Sequence, residues 1–396
     1  MTMPANTAVT TIRGAEPSDL QELLRLEALC FRTDRLSRRS FRRWLRHDDC
    51  VFLVCSSEAG ELCGYILVIL RRGTRLARLY SLAVDPSFRG RGLAGELTRQ
   101  AELDSRAAGA LYMRLEVATD NDAGIALYRK AGYRPFGLYH DYYDDHGDAV
   151  RMEKCIHAYK PAGTERVIPW IAQSTGFTCG PASLMMAMAA LDDGYAPSPA
   201  EEIRIWREAT TIFMTSGHGG CHPVGLALSA ARRGFDAEVW INQRGPLFLE
   251  SVRDANKKRV LRLVHETFLE EARACHIPVH YTPVDQQQLV DSFDAGANIL
   301  VLISTYRLDR KKAPHWVVLS GVDESCLYVQ DPDLSTEGGS DIAGEARNAM
   351  DCQHLPIARE DFTAMTHFGG NRLQTAVILR RGGATAGKLS PGNPSS

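Results

Sequence analysis

Residues 155–166, CIHAYKPAGTER, carry Pro161 and Gly163 and no hydrophobic periodicity, so neither a helix stripe nor a strand face runs through them. No other feature constrains the fold as much. The segments on either side are each long enough to bury a core, and 396 residues is about two or three times the usual domain size. The expected organisation is a first domain over 11–154, a linker over 155–166 and a second domain over 167–381. Residues 382–396, GGATAGKLSPGNPSS, are small, polar and rich in Gly and Pro, and read as a disordered tail.

Composition adds exclusions. With 46 Lys and Arg against 48 Asp and Glu the net charge is -2, so no global field points to nucleic acid or a membrane surface. The 44% hydrophobic and 24% charged content rules out collagen-like and wholly disordered classes. Ten cysteines are scattered singly with no CxxC pair, which reads as reduced thiols. The amino end lacks a basic region followed by an apolar run, and no apolar stretch approaches the length of a membrane span. A cytoplasmic protein without membrane association is the expectation.

The first half alternates helical and strand patterns, an α/β arrangement. DLQELLRLEALC, ending at Cys30, has a helical leucine face. VFLVCSS, LCGYILVIL and ARLYSLAV read as strands, Gly95 to Ala108 as a helix, YMRLEV as a strand, and NDAGIALYRKAG as a helix stopped by Gly132. LYSLAVDPSFRGRGLAGELTRQAE is therefore a strand, a tight loop with Gly90, Gly92 and Gly95, and a helix. Free amides at such a helix start bind phosphate groups, and Arg89 and Arg91 add positive charge. The same loop type also serves packing alone in many α/β proteins.

Taken in order, RGRGLAG, then LEV, then N-x-x-A-x-x-L-Y-x-x-x-G-Y resembles the GNAT acetyltransferase superfamily, and most closely its ribosomal-protein alanine N-acetyltransferase branch. YHDYYDDHGDAVRMEK is similar to that branch as well. The resemblance covers roughly residues 11–154 and implies a mixed sheet with flanking helices and acetyl-CoA as cofactor. It implies a pyrophosphate site on the amides of Arg89, Gly90, Arg91, Gly92, Leu93, Ala94 and Gly95, and a thioester beside Leu82, Ala83 and Val84. Asn121 is expected to hold the cofactor by hydrogen bonds. An amine is largely protonated at neutral pH, so attack on a thioester needs a base, and the departing thiolate benefits from an acid. The family pattern gives these roles to Glu116 and Tyr128. A surface carboxylate and a core phenol are the plainer alternatives.

Arg32, Arg35, Arg38, Arg39, Arg42, Arg43 and Arg46 form a local basic run. One reading is attraction of an acidic or RNA-associated substrate. The other is a solvated helix face with Leu36, Phe41, Trp44 and Leu45 turned inward. Tyr142 and Tyr143 line a peptide groove or pack.

In the second half, Gln173 precedes Cys179 in QSTGFTCGPASLMMAMAAL, where a loop enters an apolar helix, and a helix amino terminus favours thiolate. His315 opens the strand HWVVLSGV and Asp331 ends CLYVQDP. A Cys at a helix start with a strand His and an Asp on a neighbouring strand is the papain-like constellation. Q-x5-C-G-P-A-S, H-W-V-V-L-S-G and Y-V-x-D-P resemble the bacteriocin-processing, double-glycine leader peptidase family, over roughly residues 167–381. That resemblance implies an α+β cysteine peptidase in which Cys179 attacks a peptide carbonyl, His315 moves protons, Asp331 orients the imidazole and Gln173 stabilises the oxyanion.

The pattern departs from the family in places. Helices are expected to about Glu271, with an insertion around Ala237 to Gln288 that leaves substrate choice open, and Thr178 stands where an acidic residue is common. No Walker A sequence accompanies the domain. His218, Cys221 and His222 read as a substrate loop and no metal is expected. The combined expectation is a bifunctional enzyme, acetylating a peptide or protein amine and hydrolysing peptide bonds. Ligation or acyl transfer by the Cys domain is the rival, and a silent binding module a third reading.

Overall fold

A computed structural model describes residues 10–157, 163–211, 213–214, 217–249, 252–334 and 349–382. Except for Gly382, the stretch expected as a tail lies outside the described residues. The described residues form two compact units, one through His157 and one from Gly163.

The first unit runs β1 (Thr11–Gly14), α1 (Leu20–Cys30), α2 (Arg38–Trp44), β2 (Cys50–Ser56), β3 (Leu62–Leu70), β4 (Leu76–Val84), α3 (Leu93–Ala107), β5 (Tyr112–Ala118), α4 (Asp122–Lys130), β6 (Arg134–Tyr139) and β7 (Ala149–Cys155). One sheet takes them in the order β1-β2-β3-β4-β5-β7-β6, with β4 and β5 parallel and every other neighbour antiparallel. Period-two alternation sends side chains to two cores. Ile66, Val68, Leu79, Leu115 and Val117 pack with Leu97 of α3 and Tyr128 of α4. On the other face Tyr65, Leu67 and Ala83 pack with Leu23 and Leu26 of α1 and Phe41 and Trp44 of α2. Both indole and phenyl of α2 are buried, while Arg38, Arg39 and Arg42 are exposed, which is the solvated-face arrangement.

The parallel pair is short. It joins Leu76, Ala77 and Arg78 to Tyr112, Met113 and Arg114 and no further, although β4 continues to Val84 and β5 to Ala118. A register shift between Leu67 and Val68, which leaves Tyr80 unmatched on β4, turns that strand aside. A gap therefore opens between the two strands at the centre of the sheet.

The second unit runs β8 (Gly163–Glu165), α5 (Cys179–Ala189), α6 (Pro199–Ala209), β9 (Phe213–Met214), β10 (Gly217–His218), α7 (Pro223–Ala231), β11 (Phe235–Ile241), α8 (Ala255–Ala274), β12 (Val279–His280), α9 (Gln286–Asp294), β13 (Asn298–Ser304), α10 (Tyr306–Asp309), β14 (Pro314–Asp323), β15 (Cys326–Gln330), β16 (Leu355–Ala358), α11 (Arg359–Met365) and β17 (Thr375–Arg381). The main sheet has the order β12-β11-β17-β13-β14-β15-β16, with β8 also on β14. α5 is apolar all round and buried, its Leu184, Met186 and Met188 packed with Trp316, Val318 and Leu300.

Two expectations need correction. Phe235–Ile241 is a strand, paired along its whole length with β17, so residues from Ala237 to Ile241 belong to the sheet and not to a helical run. Its alternation of Phe235, Val239 and Ile241, all buried, with Asp236 and Glu238 is a period of two in a stretch too short to stand out. Residues 155–166 are not all linker either. Cys155 ends β7, and Gly163–Glu165 pair with β14 through backbone groups, which needs no apolar pattern.

Candidate active sites

In the first unit the gap between β4 and β5 collects most of the motif residues. Leu82, Ala83 and Val84 are the last three residues of β4, beyond its pairing with β5. Arg89, Gly90, Arg91 and Gly92 form the exposed loop that follows, and Leu93, Ala94 and Gly95 begin α3. Gly90 and Gly92 have φ of 76° and 83°, and a Cβ on either would meet no atom within 4 Å. Left-handed backbone is what demands glycine here, and the space above it is open. Gly92 is the N-cap of α3 and no side chain caps its amides. Open glycines, an uncapped helix start and two arginines fit a pyrophosphate. Arg89 is held by a bond from Nε to the Val84 carbonyl (3.1 Å), and Arg91 lies over the Phe88 ring.

Glu116 and Tyr128 stand on opposite faces of the sheet. Leu115 and Val117 point to the α3 and α4 core, so Glu116 between them points to the α1 and α2 side. Its Oε2 accepts from Arg78 Nε at 3.2 Å, and Arg78 also donates to the Tyr142 hydroxyl at 2.9 Å. Tyr128 belongs to the other core, edge-on to Tyr133, and burial raises its phenol above the ordinary range, which keeps it protonated. Tyr143 is likewise raised by burial, with Tyr142 and Glu116 among the groups facing it. Asn121 is the N-cap of α4: its Oδ1 accepts from Gly124 N–H at 2.9 Å, leaving its amide hydrogens to donate elsewhere. Arg78 was not among the expected residues. Its signal is the one charged residue of β4.

In the second unit Cys179 is the first residue of α5, His315 sits near the start of β14, and Asp331 follows the end of β15. His315 and Asp331 are 6% and 1% exposed. His315 Nε2 donates to Asp331 Oδ1 at 2.7 Å, and the Cys179 thiol is the other group that acts on the ring. With Nε2 committed to the carboxylate, Nδ1 is the nitrogen left for sulfur. Burial alone would pull the imidazole down, but Asp331 and Cys179 outweigh it and hold the pKa well above the ordinary value. Asp331 Oδ1 also accepts from Asp333 N–H at 2.9 Å, which fixes the carboxylate.

Gln173 is laced to the same segment. Its N–H donates to Pro332 O (2.9 Å) and its Nε2 to Asp333 Oδ1 (3.2 Å), while Trp170 Nε1 donates to Asp331 O (2.7 Å). The buried Glu202 accepts from Ser174 N–H at 2.8 Å. Gly180 is closely packed: a Cβ there would lie 3.1 Å from Cys221 Cβ and 3.2 Å from Trp316 Cδ1. His222 is buried, accepting from Val224 N–H on Nδ1 and meeting His265 at 3.0 Å through Nε2. Among the described residues no group of three or more potential metal ligands occurs, and no helix is long and apolar enough to cross a membrane.

Comparison with known proteins agrees with this division. The Acetyltransferase (GNAT) family matches residues 18–133, and the Peptidase_C39 like family matches 168–380, more than half of the chain. The N-alpha-acetyltransferase RimI of Mycobacterium tuberculosis is 35% identical over 161 residues, covering 38% of this chain and 96% of that protein. An acetyltransferase of Sodalis glossinidius is 36% identical over 124 residues, 31% of this chain and 85% of that protein. Among solved structures, the ribosomal-protein-S18-alanine N-acetyltransferase from Escherichia coli matches with a TM-score of 0.35 at 23% identity, over 38% of this chain and 97% of that one. The cofactor of the acetyltransferase family is acetyl-CoA, which the loop and helix start after β4 suit. The chain thus belongs to the Peptidase_C39 like family and carries ahead of that domain an N-acetyltransferase domain of the GNAT family.

Proposed function

We propose that the protein is bifunctional, its first unit acetylating the amine of a peptide or protein and its second hydrolysing peptide bonds through Cys179. The observation that carries the reading is the second site, an imidazole bonded to a buried carboxylate with the Cys179 thiol acting on the same ring. Such a ring carries the thiol proton as imidazolium while sulfur attacks and gives it to the departing amine, and Asp331 stabilises the imidazolium and holds it in place. Gln173 Nε2 and the Cys179 N–H supply the oxyanion donors.

In the first unit acetyl-CoA supplies the activated acetyl group. The amides of Gly92 to Gly95 with Arg89 and Arg91 would hold its pyrophosphate, Asn121 would add a hydrogen bond, and Leu82 to Val84, where β4 is not paired with β5, would lie beside the thioester. Glu116 takes a proton on the α1 and α2 face and Tyr128 gives one on the α3 and α4 face. The division of the two groups across the sheet supports an acceptor and a cofactor arriving from opposite sides. The relative's designation as an N-alpha-acetyltransferase favours an α-amine acceptor. Hydrolysis by the second unit exposes a new α-amine, so both units act in sequence on one substrate.

Mass spectrometry of peptides incubated with acetyl-CoA tests the reading. The wild type should yield shortened, acetylated products, Cys179→Ala only full-length ones, and Glu116→Ala shortened, unacetylated ones. Disjoint sets of peptides cleaved and acetylated would discard the coupling, and addition products with competing amines would favour ligation.

A further inference from the structure

Glu27 is a carboxylate on the buried face of α1, the face that carries Leu23 and Leu26, and is 2% exposed. Its Oε1 accepts from Leu36 N–H at 2.6 Å, and its Oε2 accepts from the hydroxyl of Tyr65. The Tyr65 oxygen in turn lies 2.8 Å from Ser81 Oγ. A phenol has one hydroxyl proton, and Tyr65 gives it to Glu27. With Glu27 ionised, Ser81 must therefore donate to Tyr65, and the chain runs from Ser81 to Tyr65 to Glu27. The lone pairs of Ser81 remain for a donor from outside.

Ser81 is half-buried and lies in β4 beyond Arg78, where β4 has no pairing with β5. Its bond to Tyr65 places it on the α1 and α2 face, the face to which Glu116 also points. Resting on the acetyltransferase reading above, we propose that Ser81 accepts a hydrogen bond from the incoming ammonium of the acceptor and that Tyr65 passes its excess proton inward to Glu27. One N–H bond of the ammonium breaks as an O–H bond forms at Ser81. The Ser81 proton moves to Tyr65 and the Tyr65 proton to the carboxylate. The nitrogen is left with its lone pair, Glu27 as the neutral acid, and the proton leaves by the same path once product has gone. No electrons are transferred.

The relay takes the proton that the ammonium sheds before attack, whereas Glu116, held by Arg78, takes the second proton as nitrogen bonds to the acetyl carbon; Glu27 has no arginine at bonding distance, and Arg35 faces it from farther off. The groups facing Glu27 and Tyr65 are Arg35, Cys30 and each other. Burial raises the proton affinity of Glu27, against the opposing pull of its bonds to Tyr65 and Leu36 and of Arg35. Glu27 and Tyr65 act through Ser81, so the deciding readout is a pH profile.

kcat/KM for acetylation of an α-amine peptide is measured from pH 6.5 to 9.5 for the wild type, Glu27→Gln, Ser81→Ala and Glu116→Gln, together with CoA affinity. Gln retains an acceptor for Leu36 N–H but takes up no proton. Glu27→Gln and Ser81→Ala should each lose about tenfold or more at pH 7. Both should return to within about twofold above pH 9, where an α-amine of ordinary pKa, about 8, carries its own lone pair. A loss of equal size at every pH marks a structural role and overturns the relay, as does full activity at pH 7. If Glu27→Gln does not fold, Ser81→Ala decides alone. No transfer to any α-amine peptide by the wild type overturns both the relay and the α-amine reading, whereas transfer without a Ser81 effect overturns the relay only.

Discussion

The Nε2 of His315 and the Oδ1 of Asp331 lie 2.7 Å apart with both side chains buried, joining the start of β14 to the segment after β15. Sequence separation hides this contact, and sheet pairing makes it. Val318 opposes Gln330 in the antiparallel ladder, which puts Asp331 diagonally across from His315 on the same face.

Asp331→Asn should lower peptidase kcat by about a hundredfold or more, because the carboxylate charge that stabilises the imidazolium is lost. Stability should respond with a definite sign. The folded pKa of His315 is raised, so the stabilisation it brings is complete below the unfolded value, about 6.5, and disappears as pH climbs through the folded value. The melting-temperature gap between wild type and Asp331→Asn should therefore be widest near pH 6 and shrink toward pH 9. A gap that widens with pH would contradict the pairing.

His222 gives the opposite slope. Burial first, and His265 second, pull its pKa down to about 3, so it stays neutral in the fold while the unfolded ring takes up a proton. Stability should be full above about pH 6.5 and fall on acidification by up to about 1.4 kcal/mol per pH unit. Denaturant unfolding of wild type and His222→Asn between pH 7 and 4.5 checks this. The variant, which keeps an N-cap acceptor for α7, should start less stable and lose less.

Gly92→Ala places a side chain on a left-handed residue with open space around it, so strain rather than collision is the effect. The cost is about 1 to 2 kcal/mol at the start of α3. KM for acetyl-CoA should rise about tenfold with peptide cleavage unchanged. An unaltered KM would move the pyrophosphate away from this loop.

Much of both sites was legible because glycines, a Cys at a helix start and strand-borne His and Asp are fixed by backbone chemistry that short motifs carry. Gly90 and Gly92 are an example, since left-handed φ restricts residue type directly. The Arg78 to Glu116 pair and the Glu27, Tyr65, Ser81 chain were not legible, since each depends on which strands adjoin. Glu27 occupies a leucine-like position on α1 that periodicity reads as an interruption. β11 was missed because seven residues of weak alternation give too little signal against neighbouring helical patterns.

Glu116→Gln should reduce acetyl-transfer kcat by about a hundredfold while leaving CoA affinity within about twofold, since the carboxylate lies on the face away from α3. Isothermal titration with CoA and steady-state rates separate the two quantities. A loss of CoA affinity equal to the loss of rate would show that the substitution deforms the sheet.

Brief exposure of the native protein to iodoacetamide at pH 6, with peptide mapping of its ten cysteines, tests the assembled thiol site most directly. A single fast adduct should fall on Cys179, slowing at least about tenfold in His315→Ala, because the imidazole is the group that draws off the thiol proton. Equal labelling rates in the two proteins, or faster labelling at another cysteine, would contradict the account.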